Sequence, residues 1–357
     1  MAPGVVRVAL RRTLRDVKYV DVVPPRQARG LVREVYRQVE RDFGMLAPPV
    51  ALHSAAPDVL AAAWLMLRES LVAGGTASRA DKEVVAAAVS AANSCPYCVE
   101  VHGMALGSLG EPDAAAAIAA GDTGGIADRD TRELAAWARG AGQLPADVPA
   151  GAAAEFTGVA VTFHYLNRVV SVFLGPSPLP DAVPASARAK AKAVLGFLLK
   201  PGTAPPPGEA LGLLPASPVA GPDWAPPGGP LAGAFSRAAG AIEAAGERSV
   251  APRVRDLVRR ELKAWDGKSP GLSRAWAELP AAELPGSERA EGRLALLVAK
   301  APYQVTSADV VAFGPERTGD RGLLELVSWA SHAAALELGG RMPVRPRRED
   351  PPRRGGR

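Results

Sequence analysis

The chain has 357 residues, of which 48% are hydrophobic, and this is enough apolar material for the cores of two ordinary domains. Its formal net charge of +5 comes from the segment between Arg341 and Arg357, so the preceding chain is close to neutral and we expect no nucleic-acid partner. No run of 18 apolar residues predicts a membrane span, and arginines interrupt the apolar N-terminus, so no signal peptide is expected. We therefore expect a cytoplasmic protein with a disordered, solvated basic tail.

Helical spacing of apolar residues dominates the first half of the chain. In the segment 30–43, apolar residues recur every three to four positions opposite charged ones, which predicts an amphipathic helix. Ser78 and Asp81 form a capping pair that predicts the start of a helix ending near Asn93. The other predicted helices cover 57–73, 95–108, 112–120, 129–140 and 152–173. Because hardly any segment alternates apolar and polar residues, the fold class is predicted to be all-α.

The segment 201–230 contains ten prolines and six glycines, so no regular element is expected there. Helical patterning resumes near Leu231 and continues to Gly340. Three pairs of features recur in the same order in the two halves: 79–81 with 289–291, 96–97 with 302–303, and His164 with His332. These matches predict a tandem in which the second copy is degenerate and has no cysteine. The predicted domains are 1–180 (redox domain), 181–230 (a helix plus a Pro/Gly-rich linker), 231–340 (degenerate copy) and 341–357 (basic tail).

Both cysteines of the chain lie in one short run, Cys95-Pro96-Tyr97-Cys98. Pro96 suits the first turn of the helix predicted there, so both thiols lie at a helix N-terminus, where the macrodipole favours thiolate over thiol. His102 follows Cys98 by four residues and shares its helical face, so it can take up the thiol proton. In a chain expected in the cytoplasm, this spacing predicts a redox-active dithiol rather than a structural disulfide.

Glu83 is the candidate third member of the site. If the helix that contains it turns back at Ser94, Glu83 lies about 15 Å along one arm of a helical hairpin and His102 about 10 Å along the other, at about 1.5 Å per residue. A carboxylate in that position orients the imidazole and stabilises its charged form. An acidic residue in a first helical turn is also explained by helix stability alone.

Other interpretations of the same residues stay open. A structural zinc site needs four ligands, and beyond the cysteine pair the chain offers only scattered histidines, so no metal is predicted. His164 lies in a polar and aromatic part of its predicted helix and is a candidate for the pocket or for an oligomer interface. Tyr97 either shapes the pocket or simply packs.

These residues carry a family resemblance. Glu83, the two cysteines and His102 resemble the Glu-(eleven residues)-Cys-x-x-Cys-x-x-x-His signature of AhpD-like alkylhydroperoxidases, which belong to the carboxymuconolactone decarboxylase superfamily. The resemblance is clear over residues 30–175 and faint over 235–340. It implies an all-helical fold and a peroxidase that needs no cofactor.

The resemblance also implies roles for the individual residues. Cys98 would be the peroxidatic thiolate that passes through a sulfenic acid, and Cys95 would resolve it as a disulfide. His102 and Glu83 would form the proton relay. The implied partners are an organic hydroperoxide, a dithiol electron donor such as a lipoyl- or thioredoxin-like protein, and further copies of the chain in a homo-oligomer.

The chain departs from the family pattern at one position. Tyr97 stands where the best-known AhpD proteins have a second histidine, and a neutral phenol does not relay protons as imidazole does at neutral pH. The decarboxylase branch of the superfamily lacks the cysteine pair, which argues against lactone decarboxylation. A general thiol–disulfide oxidoreductase, or a non-catalytic redox-sensing or interaction protein, would use the same cysteines, and both remain alternatives.

Overall fold

The computed structural model describes residues 11–179, 183–199 and 202–342, and all regular structure in these ranges is helical. The predicted all-α fold is therefore confirmed. The predicted basic tail lies outside the described residues, apart from Arg341 and Met342. The α-helices of the described ranges are α1 (Gly30–Asp42), α2 (Pro48–Ala51), α3 (Pro57–Leu67), α4 (Arg79–Ala92), α5 (Pro96–Ser108), α6 (Pro112–Ala120), α7 (Arg129–Ala138), α8 (Ala150–Phe173), α9 (Ala185–Leu199), α10 (Pro230–Ser249), α11 (Pro252–Lys263), α12 (Ala275–Ala282), α13 (Arg289–Lys300), α14 (Ser307–Phe313) and α15 (Pro315–Gly340).

Local capping explains where the helices of the first half begin and end. The Ser78 side chain accepts a hydrogen bond of 3.1 Å from the Asp81 amide at the start of α4, as the predicted capping pair requires. At the end of α6, Gly121 adopts φ +77°, a left-handed conformation that favours glycine. The helix predicted over 57–73 is α3, and its last part, Arg68–Val72, widens into a π-helical turn.

The long helix α8 lies at the centre of the protein. Twenty of its 24 residues are buried, as expected for a helix surrounded by others. Helices α4 and α15 pack directly on α8, while α10 packs on α3 and α15. One hydrophobic cluster consequently extends from Leu14 to Ala335 through both halves of the chain. No helix in the described ranges is long and apolar enough to cross a membrane.

Two features of the second half correspond to features of the first. Helix α13 begins at Arg289 as α4 begins at Arg79, and each half ends in a long helix, α8 and α15, which pack against each other. The Pro302–Gln304 segment forms only one 3-10 turn, so the second half has no counterpart of the cysteine-bearing helix α5 at that point. The division into separate domains stays a prediction, because the two halves share one core.

The Pro/Gly-rich segment is bound to the first half by a buried arginine. Apart from one short turn at Leu211–Leu213, residues 202–229 contain no helix. The Arg68 guanidinium, with no exposed side-chain surface, donates to Asp42 (2.7 Å), to Glu209 (3.0 Å) and to the Pro206 carbonyl (3.2 Å), and it also pairs with Glu69. Proline cannot extend a helix, but its carbonyl still accepts hydrogen bonds, and here it satisfies part of a buried cation.

Replacing Arg68 with alanine is expected to lower the free energy of unfolding by about 3–5 kcal/mol, because it leaves buried carboxylates without their cation. Urea unfolding followed by circular dichroism measures this change. The matched control is Arg37→Ala, which removes a solvent-exposed ion pair with Glu34 and should leave the urea midpoint nearly unchanged. Equal losses in the two variants would show that the buried network contributes no more than a surface pair.

Candidate active site

A tight turn between α4 and α5 presents the two cysteines. The Cys95 amide donates to the Ser90 carbonyl at 3.0 Å and the Ser94 amide to the Ala91 carbonyl at 3.1 Å, a pair of bonds typical of a Schellman helix end. Ser94 has φ +54°, in the left-handed region where glycine is usual, so the backbone is strained beside the first thiol. Pro96 opens α5 as predicted, and both cysteines are free thiols buried at its N-terminus.

Glu83 and His102 are in direct contact across the α4–α5 hairpin. His102 Nδ1 donates to Glu83 Oε2 at 2.6 Å, and Arg79 Nε donates to the other carboxylate oxygen at 2.8 Å. Burial raises the pKa of Glu83, but the charges and hydrogen bonds of Arg79 and His102 outweigh it and hold this pKa below its usual value. The carboxylate therefore remains ionised and orients the imidazole, which leaves Nε2 as the free ring nitrogen.

Cys98 and His102 border the same small cavity, of about 50 Å³. The Phe163 ring, on α8, meets the His102 ring edge-on with the ring centroids 4.4 Å apart. Most of the remaining wall is hydrocarbon, and part of it comes from α2 and from Leu195 and Leu199 of α9. A thiol and an imidazole at one end of an apolar cavity suit a small ligand with an apolar tail and one reactive polar end.

Cys95 faces a different surface from Cys98. It lines an open groove of about 790 Å³, together with Glu100 and Lys192, whose side chains pair at 2.9 Å, and with Arg139. No residue that lines this groove also lines the apolar cavity. Cys98 therefore borders the cavity, whereas Cys95, itself only 1% exposed, borders the groove.

The two thiols titrate as a linked pair. Burial raises the pKa of Cys95, but hydrogen bonds from Cys98, Ser171 and Asn167 outweigh it, so this pKa lies below that of an ordinary thiol. Burial raises the pKa of Cys98, and the hydrogen bond and charge of Cys95 raise it well above the ordinary value. The pair thus loses its first proton more easily than its second.

Of the two further pocket candidates from the sequence, one lines the cavity and the other does not. Tyr97 lines the cavity, and burial followed by the charges of Cys98 and Cys95 raises its pKa, so its hydroxyl keeps its proton. His164 does not line the cavity and instead hydrogen-bonds to Asn93 at 3.1 Å. Burial and then the charge of Arg168 lower the pKa of His164 to about 3, so this imidazole is neutral at physiological pH.

Sequence reasoning missed three residues of the site. Arg79 precedes Glu83 by four residues on α4, and this spacing was a signal that could have identified it. Asn167 and Ser171 come from α8 and act on Cys95, and nothing local in the sequence indicates this. Asn167 is itself held by Asn93 (2.8 Å) and by Ser90 (3.0 Å). Within the ranges that the structure describes, no group of three or more His, Cys, Asp or Glu side chains could hold a metal ion.

The fold and site define a class of protein: an all-helical protein with a Cys-x-x-Cys dithiol beside a buried Glu–His pair. The sequence model of the carboxymuconolactone decarboxylase family matches residues 58–136, which include Glu83, both cysteines and His102. The chain is also 37% identical over 333 residues to the alkyl hydroperoxide reductase Rv2159c of Mycobacterium tuberculosis, an alignment that covers 91% of this chain and 95% of that protein. The chain belongs to the carboxymuconolactone decarboxylase superfamily, among its AhpD-like members, as the motif predicted. No solved structure was found to match the chain.

Proposed function

We propose that this protein reduces organic hydroperoxides to alcohols through a dithiol–disulfide cycle of Cys95 and Cys98. The observation that carries the proposal is that Cys98 and His102 border one apolar cavity, with His102 oriented by the buried Glu83 carboxylate. The relationship to an alkyl hydroperoxide reductase over 91% of the chain makes the protein an alkylhydroperoxidase-type oxidoreductase.

In the oxidative half of the cycle, the Cys98 thiolate attacks the terminal oxygen of the hydroperoxide. The O–O bond breaks, the sulfur is oxidised to a sulfenic acid, and the alkoxide leaves as an alcohol with a proton from His102. Glu83 stabilises the charged imidazole that supplies this proton. The Cys95 thiol then attacks the Cys98 sulfur, and water leaves as the disulfide forms.

In the reductive half, a dithiol donor of the lipoyl or thioredoxin type attacks Cys95 from the open groove. This attack displaces Cys98 as the thiolate, and the second donor thiol then releases Cys95 while the donor becomes a disulfide. Support comes from the different spaces that the two cysteines border, since Cys95 and not Cys98 lines the groove. One cycle converts a hydroperoxide and a dithiol into an alcohol, water and a disulfide.

The protonation of the thiol pair determines which of the two cysteines is the nucleophile. Hydrogen bonds in the resting pair favour negative charge on Cys95, whereas the cavity and His102 are on the side of Cys98. Transfer of the single proton from Cys98 to Cys95 supplies the nucleophile where the hydroperoxide binds, and the pair as a whole keeps one negative charge. The thiol pair therefore needs to lose only one of its two protons before it reacts.

Turnover tests the proposed function. The reduced protein mixed with ethyl hydroperoxide should consume about one equivalent per chain, and dihydrolipoamide should convert this burst into continuous turnover. Peroxide loss and thiol content are measured in the same samples. If the dithiol reduces the Cys95–Cys98 disulfide but no hydroperoxide is consumed, the protein is a thiol–disulfide oxidoreductase rather than a peroxidase.

The expected homo-oligomer and the expected cytoplasmic location remain predictions. Sedimentation velocity of the purified protein tests the oligomeric state.

A further inference from the structure

Helix α9 lies outside the residues matched by the family model, yet it covers the cavity that Cys98 and His102 border. Leu195 and Leu199 of α9 are each 5% exposed and point into the cavity wall. Together with Met45, Ala105 and Leu179 they form a hydrophobic cluster separate from the main core. One side of the cavity is therefore supplied by an element whose leucines pack outside the main core.

Polar and close backbone contacts hold α9 against the cysteine-bearing helix α5. Lys192 Nζ pairs with Glu100 Oε1 at 2.9 Å, and Ser177 Oγ donates to Glu100 Oε2 at 2.8 Å. Arg188 in turn donates to Ser177 at 3.2 Å. A side chain at Gly196 would come within 3.1 Å of the Met104 carbonyl, so the two helices approach closely at this glycine. The position of the leucines relative to Cys98 is consequently well defined.

The cavity is small and its wall is apolar. Its volume of about 50 Å³ is about a third of the 150 Å³ of a known protein cavity that holds a benzene ring. The hydrocarbon wall beyond Cys98, His102 and Tyr97 offers no hydrogen-bond partner for the second hydroxyl of hydrogen peroxide, whose desolvation is costly. Both the volume and the chemistry of the wall favour a short alkyl group.

We propose that α9 is the specificity-determining element of the hydroperoxide site, where Leu195 and Leu199 restrict the substrate to alkyl hydroperoxides with a compact apolar tail. Ethyl hydroperoxide represents this class, whereas cumene hydroperoxide carries a phenyl ring that the cavity does not accommodate. This inference rests on the proposed function. It adds the substrate class and assigns its selection to residues outside the cysteine motif.

The test compares kcat/KM for cumene hydroperoxide with kcat/KM for ethyl hydroperoxide in the full-length protein, with dihydrolipoamide as donor. Leu195→Ala and Leu199→Ala should each raise the ratio of cumene to ethyl at least tenfold, since a single methylene group in an apolar pocket already changes discrimination by about 10–200-fold. Phe197→Ala is the matched control, because Phe197 is on the same helix but 74% exposed, and its ratio should equal that of the unmodified protein.

The ratio is measured within one sample, so a partly unfolded variant does not alter it. Leu195→Val removes less volume and keeps the fold if the alanine variants are unstable, and it should raise the ratio by a smaller factor. Ratios within twofold of the unmodified protein in all three leucine variants would overturn the role of α9 while leaving the peroxidase activity intact. Failure of the unmodified protein to consume either hydroperoxide would instead overturn the proposed function, and this inference with it.

Discussion

Replacing Cys98 with serine is expected to abolish hydroperoxide consumption, with a loss of at least a thousandfold. A serine hydroxyl is not ionised at neutral pH, and no other thiol borders the apolar cavity. Cys95→Ser should behave differently: it should consume one equivalent of hydroperoxide per chain and then stop, because the sulfenic acid on Cys98 has no resolving thiol. Single-turnover peroxide loss and mass spectrometry after dimedone labelling measure both outcomes.

The matched pair of serine variants also decides which sulfur is the nucleophile. The pKa of Cys95 lies below that of an ordinary thiol and that of Cys98 lies well above it, whereas the cavity is on the side of Cys98. If Cys98→Ser retained the one-equivalent burst and Cys95→Ser lost it, the more acidic thiol would be the peroxidatic one. The assignment of the cavity as the hydroperoxide site would then be wrong.

Replacing His102 with asparagine is expected to slow the oxidation of the thiol pair by about 10²–10⁴-fold, the usual contribution of a general acid–base group. Asparagine retains an amide that can donate to Glu83, so the buried carboxylate keeps a partner and the hairpin keeps its shape. Stopped-flow measurement of hydroperoxide loss in a single turnover, with the reduced protein in excess, isolates this step from the reaction with the donor.

His332→Asn provides the control for His102→Asn. His332 is also a buried histidine, but it lies in the second half of the chain, and its Nε2 has no hydrogen-bond partner. His332 and His102 are buried to a similar extent, but of the two only His102 borders the cavity. Replacement of His332 should therefore leave the oxidation rate within about twofold of the unmodified rate. Equal effects of the two replacements would indicate that a loss of packing, and not of proton transfer, slows the reaction.

Much of the helical structure was predictable because its determinants are local. The helices predicted over 30–43, 95–108 and 129–140 begin and end within two residues of α1, α5 and α7. The contact between Glu83 and His102 was also predictable, because both distances are counted from one short turn between two helices. The strained conformation of Ser94 within that turn was not, since serine seldom replaces glycine there.

Contacts between residues that are far apart in the chain could not be predicted from the sequence. Asn167 and Ser171 act on Cys95 only because one face of α8 happens to meet the α4–α5 hairpin. The proline content of 202–229 correctly excluded a long helix, but it did not indicate that the Pro206 carbonyl would satisfy the buried Arg68. Such contacts depend on how whole helices dock, and many different sequences permit the same docking.

The sequence by itself determined many helices of the first half and the dithiol with its histidine and carboxylate, because each of these depends on residues within about twenty positions of one another. The same motif indicated the family. Only the tertiary structure decided that the two cysteines border different spaces, Cys98 an apolar cavity and Cys95 an open groove. The physical reason is that a cavity is the space left between packed elements. Here α8 and α9 reach α5 from far along the chain and separate the two approaches to the dithiol.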